Sequence, residues 1–294
     1  MRLVIASTLI FGLGLAFVLS ANPRGDDEDD DTSRITLPPG MAARAPTNAD
    51  VAPPAVPFSP ATRVDTARAR ASFPHDSEAY TQGLLVADGR LLESTGLVGR
   101  SDVREVELQT GRVVRSHMLP RHHFGEGIAR VGDRVYQVTW KAGQGYVYDA
   151  GTLAPVDSFS YQGEGWGLTS DGTSLWLSDG SADLRVLDPA TRRVLRTVTV
   201  TEAGRRVHAM NELEWIDGEL WANVYQTDWV ARIDPATGQV TRWIWLGALL
   251  APGERQGVQS RGGVANGIAW DAAGGRVLVT GKYWPRLFAL ALAK

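Results

Sequence analysis

Five times along the chain a polar or aromatic residue opens a short apolar strand, usually with a glycine beside it. The five runs are Gln82-Gly83-Leu84-Leu85, Glu126-Gly127-Ile128-Ala129, Trp166-Gly167-Leu168-Thr169, Asn211-Glu212-Leu213-Glu214-Trp215 and Asn266-Gly267-Ile268-Ala269-Trp270. Their first residues lie 44, 40, 45 and 55 positions apart. No other feature limits the fold as strongly, because self-similarity at this period marks propellers and solenoids. Each run leads into a turn signal: Asp88-Gly89, Gly132-Asp133, Asp171-Gly172, Asp217-Gly218 and Gly274-Gly275. Such dipeptides supply the positive φ that tight hairpins need. Second strands are predicted at 91–94, 135–139, 174–178, 219–224 and 276–280, and third strands at 103–108, 145–148, 184–187, 230–233 and 287–290. Asp-Pro-Ala-Thr at 188–191 and 234–237 supplies the next turn, and a fourth strand leads onward. Four short strands in each of five units predict an all-β chain folded as a five-bladed β-propeller.

Composition agrees with many tight turns: 32 Gly and 10 Trp, with Lys only at 141, 282 and 294. With no cysteine in the chain, disulfides, Cys-based zinc sites and thiol catalysis are excluded. The net charge of −3 belongs wholly to residues 1–62, which leaves residues 63–294 neutral. A neutral body without a basic tract offers nucleic acid no electrostatic footprint, so no nucleic-acid partner is expected.

Residues 3–21 carry no charge and follow Arg2. This reads as a signal peptide, or as a single-span membrane anchor if it is not cleaved. The protein is therefore expected to be exported, either periplasmic or secreted. Residues 22–62 hold the acidic run 26–31 and then Pro- and Ala-rich sequence. Such a segment buries too little apolar surface to offset its chain entropy, and we read it as a disordered tether. The propeller domain is expected over 63–294.

In a five-bladed ring the first residues of the innermost strands meet at one mouth of a central channel. Fourteen residues later the chain returns to the same mouth, at Gly96, Trp140, Gly180, Tyr225 and Thr280. Function is expected there, because this is the one concave site of the architecture. Gln, Glu, Trp, Asn and Asn at equivalent points are hard to explain by fold, which would repeat one residue type. The candidate residues are Gln82, Glu126, Trp140, Trp166, Asn211, Tyr225 and Lys282.

The motifs around these residues carry a resemblance. They are Phe73-Pro74-His75-Asp76, Tyr80-Thr81-Gln82-Gly83-Leu84, Phe124-Gly125-Glu126-Gly127, Gly163-Glu164-Gly165-Trp166-Gly167-Leu168, Asn211-Glu212-Leu213-Glu214, the run 221–228 and Thr280-Gly281-Lys282. Together, over nearly all of 72–290, they resemble the glutaminyl-peptide cyclotransferases of the plant and bacterial type, an acyltransferase family built on a five-bladed propeller. The resemblance implies that the α-amine of an N-terminal Gln attacks its own side-chain amide, leaving pyroglutamate and releasing ammonia. Peptides or proteins with an N-terminal Gln would be the partners, met by a monomer.

On this resemblance Glu126 is the expected general acid/base, since it is the only acid among the five opening residues. Desolvation would raise its pKa. Lys282 would counter that rise and join the proton network. Asn211 and Gln82 are amides suited to bind the substrate amide oxygen and α-amine. Trp140, Trp166 and Tyr225 would wall an apolar slot. The family usually places Trp where this chain has Tyr225, so altered affinity is expected there. No cofactor is required, and the resemblance allows a structural calcium ion in the channel. His122-His123 is a poor metal pair, because neighbours on a strand point to opposite faces. A metal-dependent lactone hydrolase would need several carboxylates converging on an axial metal. A non-catalytic envelope β-propeller binding module is the alternative, and it would need neither Glu126 nor Lys282.

Overall fold

The structure is a computed structural model that describes residues 62–291. The expected export segment 1–21 and tether 22–62 lie outside the described residues, Thr62 excepted. Among the described residues, four-stranded sheets repeat around a ring. Blade I comprises Thr81–Ala87, Arg90–Thr95, Asp102–Glu107 and Arg112–Met118. Blade II comprises Gly125–Val131, Arg134–Thr139, Gln144–Asp149 and Pro155–Ser160, and blade III Leu168–Ser170, Leu175–Leu177, Asp183–Leu187 and Val194–Thr199. Blade IV is Met210–Ile216, Glu219–Val224, Trp229–Ile233 and Val240–Trp245. Blade V takes Ala265–Asp271, Arg276–Gly281 and Arg286–Leu290 from the end of the chain, and its outer strand, Ala69–Pro74, from the beginning. The chain is thus a five-bladed propeller whose ring is closed by an antiparallel pair between distant segments.

Three additions were not legible in the repeat. Arg63–Thr66 pairs parallel with Val240–Trp245 as a fifth strand of blade IV. The hairpin Thr201–Glu202 with Arg205–Arg206 and the helix Pro252–Ser260 occupy the longer intervals before blades IV and V.

The core is a set of wedges between neighbouring blades. Leu92, Val103, Ile128 and Val135 join blades I and II. Tyr136, Val147, Leu168 and Leu175 join II and III. Further clusters follow at III–IV around Trp176 and Trp243, at IV–V around Trp221 and Phe288, and at V–I around Phe73, Leu84 and Leu278. Alternate faces of each sheet are apolar, so every blade contributes to two wedges.

At the axis the innermost strands approach too closely for side chains. A Cβ on Gly83 would meet the Ile128 nitrogen at 2.7 Å, one on Gly127 the Leu168 nitrogen at 2.3 Å, and one on Gly167 the Asn211 carbonyl oxygen at 2.0 Å. This close approach explains the glycine that follows most opening residues. Blade IV departs from the rule with Glu212. Its carboxylate crosses the axis and accepts the N–H of Leu84 in blade I at 3.3 Å and of Ile268 in blade V at 2.9 Å. Glu214, two residues on, accepts the Trp270 N–H at 2.8 Å and the Thr169 hydroxyl at 3.2 Å.

The closing seam is tied by a buried charge cluster. His75 follows the outer strand of blade V. Its Nδ1 donates to the Trp284 carbonyl at 2.6 Å and its Nε2 to Glu93 at 3.0 Å. Glu93 also accepts from Thr81 at 2.7 Å and from Arg104 at 3.0 Å. Burial pushes the Glu93 carboxyl up, but His75 and Arg104 outweigh it and hold it at about 2.

Candidate active site

The opening residues reach the mouth because the ladder breaks beneath them. Pairing of the innermost strand with its neighbour shifts register at Thr81/Gly83, Gly125/Ile128, Met210/Leu213 and Ala265/Ile268. Bulges of this kind release a residue from the ladder and re-aim its side chain. They free Gln82, Glu126, Asn211 and Asn266. In blade III the regular strand starts only at Leu168, and Trp166 is held by its N–H to the Ser178 carbonyl at 2.9 Å.

A second ring of residues faces the first. The N–H groups of Gly96, Trp140, Tyr225 and Lys282 donate to the carbonyls of Tyr80, Phe124, Ala209 and Val264 at 2.8, 3.0, 2.9 and 2.9 Å. Each acceptor stands two places before an opening residue. The blade V member is therefore Lys282, and the fourteen-residue count that gives Thr280 is corrected. The inner hairpin of blade V turns through four residues, 272–275, where blades I, II and IV use two. Thr280 is buried, and its hydroxyl donates to the Arg286 carbonyl at 3.0 Å.

Glu126 and Lys282 share this mouth, 2% and 1% exposed. Among the described residues neither tip makes a hydrogen bond or an ion pair within 4 Å, yet each lies within electrostatic reach of the other. Burial pushes the Glu126 carboxyl well above the usual range, Lys282 pulls it back, and Glu164 adds to the rise. Burial lowers Lys282 to about 8, against the pull of Glu126. Burial thus moves the carboxyl up and the ammonium down, each favouring its neutral form.

Aromatic rings enclose the pair. The Lys282 ammonium stands 4.6 Å from the centre of the Tyr80 ring and 5.0 Å from that of Tyr225. Trp166 meets Tyr225 edge-on at 5.4 Å, and Trp140 meets Phe124 at 6.0 Å. Leu97, Phe124 and Trp140 form one apolar cluster with Tyr80 and Trp166 packed against it. Asn211 adjoins Trp166: Ser178 Oγ donates to the Asn211 carbonyl and accepts the Gly167 N–H, both at 2.7 Å. The Gln82 side-chain oxygen accepts from Asn266 at 3.1 Å.

The structure thus gathers Gln82, Glu126, Trp140, Trp166, Asn211, Tyr225 and Lys282 at one mouth. It adds Tyr80 and Asn266 to them. Tyr80 could have been found from its place two residues before Gln82, the slot that Phe124 holds before Glu126. Tyr225 and Tyr80 flank the Lys282 ammonium together, and the two phenols lie within electrostatic reach of each other and of Glu126.

For the calcium ion that the resemblance allows, the carboxylates of the channel below, Glu212 and Glu214, are already engaged with backbone N–H and hydroxyl donors. Calcium takes about six to eight oxygen ligands. Among the described residues no three His, Asp or Glu gather as a metal set. His123 is engaged with the Tyr146 hydroxyl at 2.6 Å.

Known proteins resemble this chain over most of its length. A sequence profile described as glutamine cyclotransferase matches residues 42–292. The glutaminyl-peptide cyclotransferase of Arabidopsis thaliana is 44% identical over 236 residues, spanning 78% of this chain and 72% of that protein. The crystal structure of Myxococcus xanthus glutaminyl cyclase superposes with a TM-score of 0.72 at 33% identity, covering 78% of this chain and 97% of that one.

Proposed function

The chain belongs to the glutamine cyclotransferase family, and from that premise we infer how its mouth performs the reaction. The protein is a glutaminyl-peptide cyclotransferase: it converts the N-terminal glutamine of a peptide to pyroglutamate and releases ammonia. The observation that supports our assignment of roles is the buried, unbonded carboxyl of Glu126 facing the buried ammonium of Lys282.

The α-amine nitrogen attacks the side-chain amide carbon, and a C–N bond closes the five-membered ring. Glu126 takes the proton that the attacking nitrogen must lose. It returns that proton to the amide nitrogen, whose C–N bond then breaks as ammonia leaves. One group can serve both transfers because its pKa has been moved towards the working pH, and such a group contributes about 10²–10⁴-fold. Lys282 supplies the balancing positive charge. Asn211 and Gln82 hold the amide oxygen and the α-amine. Trp140, Trp166 and Tyr225 fold the glutamine methylenes back towards the amine and exclude water, a positioning effect worth several powers of ten in favourable cases.

We extend the proposal to where the enzyme works. The uncharged run 3–21 supports an exported protein acting on secreted or periplasmic chains. Purified protein is expected to release ammonia from a Gln-initiated dipeptide and to leave a product without a free amine. An absence of ammonia under conditions where the protein is folded overturns the reading.

A further inference from the structure

The mouth holds a second carboxylate, Glu164, that none of the roles above uses. A single oxygen, Oε2, accepts the indole N–H of Trp140 at 2.8 Å and that of Trp166 at 2.9 Å. The two rings come from different blades: Trp140 follows the second strand of blade II, and Trp166 precedes the first strand of blade III. The Lys141 ammonium lies 3.7 Å from the other oxygen and 4.0 Å over the Trp140 ring. The backbone below is pinned separately. Gly165 N–H donates to the Trp140 carbonyl at 3.1 Å, and Arg185 donates to the Glu164 carbonyl at 2.6 Å. The main chain of this segment is therefore held without the carboxylate, whose hydrogen bonds all go to the two indoles.

Resting on the cyclotransferase reading, we propose that Glu164 is a positioning residue whose one carboxylate oxygen clamps the two tryptophan walls together, fixing the slot in which the glutamine side chain folds. An indole ring turns freely about its last torsion unless packing or its N–H fixes it. Here both N–H groups are committed to the same acceptor, so the tilt of one wall is tied to the tilt of the other. The remaining edges follow, Trp166 against Tyr225 at 80° and Trp140 against Phe124 at 62°. Glu164 is 37% exposed in its side chain, so water competes for these bonds. The gain is in geometry more than in stability. Displacing a reacting group by about 1 Å costs on the order of 10²-fold in rate.

The clamp also carries charge towards the reaction centre. The groups facing Glu126 are Lys282, of opposite sign, Glu164, of like sign, and the phenols of Tyr80, Tyr225 and Tyr161. Lys141 partly offsets Glu164 from the solvent side. Replacing Glu164 by Gln keeps one oxygen able to accept from both indoles and removes the charge. Replacing it by Ala removes both.

Glu164→Ala is expected to lose about 10²-fold in kcat with an unchanged far-UV circular dichroism spectrum. The indole N–H resonances of Trp140 and Trp166 should also move in a ¹H–¹⁵N spectrum taken without substrate. Glu164→Gln is expected to stay within about tenfold of the parent, with the acid limb of kcat/KM displaced to lower pH. That displacement reports the loss of the Glu164 charge, while the retained rate reports that the clamp survives. An alanine variant within about twofold of the parent, its indole resonances in place, overturns the proposal. If Glu164→Ala does not fold, Glu164→Ser, whose hydroxyl is too short to reach both indoles, takes its place, and a rate within about twofold of the parent with the indole resonances in place overturns the proposal. Should the parent release no ammonia, the cyclotransferase reading falls, and the indole resonances alone decide whether the clamp exists.

Discussion

Two groups of buried carboxylates stand along one axis, and they differ in what they touch. In the shaft, Glu212 and Glu214 are bonded to backbone N–H groups and a hydroxyl from three other blades. At the mouth, Glu126 is equally buried but has no hydrogen-bond partner among the described residues, only a lysine at a distance. Burial raises all three carboxyls. A raised pKa therefore does not by itself separate a reactive acid from a structural one. The separating feature is whether the protein satisfies the oxygens or leaves them for a substrate.

Substitutions can break this contrast. Glu126→Gln should show the largest effect: ammonia release falls about 10²–10⁴-fold, while the fold is kept, because no hydrogen bond among the described residues depends on that carboxyl. A variant that melts early and keeps its activity would reverse the assignment. Glu212→Gln should do the opposite. It sets an NH₂ against a backbone N–H, which costs about 1–3 kcal/mol. This should appear as a lower denaturation midpoint, with the chemical step intact in the folded fraction.

A smaller effect is expected from Lys282→Met, which removes the charge that holds Glu126 down. The acid limb of kcat/KM should shift to higher pH, opposite to the shift in Glu164→Gln, and a pH–rate series measures both. Glu214→Gln should be the mildest, because its NH₂ can donate to Thr169 while its oxygen keeps the Trp270 N–H. Glu214 titrates at about 8 in the fold against an ordinary 4.5. Between those values the folded protein holds a proton that the unfolded chain has lost, so stability falls as pH rises. Glu214→Gln should flatten that slope in denaturant titrations at several pH values.

The fold was legible because the glycines at 83, 127 and 167 answer a steric demand that recurs with each blade. The mouth residues were legible for a related reason. Bulges recur at the same place in the repeat, so residue types that vary there stand out against a constant frame. Lys282 fell outside the count because one hairpin turn is two residues longer, a local change that periodicity cannot see. Glu212 was hidden because it occupies a glycine slot and acts across the axis on strands 128 and 56 residues away. Glu164 sits inside a motif that gives no sign of its role, since its partners are indole N–H groups whose convergence only a folded chain displays. The closing strand Ala69–Pro74 precedes the repeat and shares none of its opening pattern.

That closing strand governs when the enzyme can begin to work. Lys282 belongs to a sheet whose outer edge was made more than two hundred residues earlier, and His75, just past that edge, grips the backbone at Trp284. A nascent chain that stops short of its final blade has the carboxylate but no ammonium opposite it, and no hoop to hold the aromatic walls upright. Sealing the circle and arming the reaction are one event, so an incomplete translation product should be inert as well as unstable.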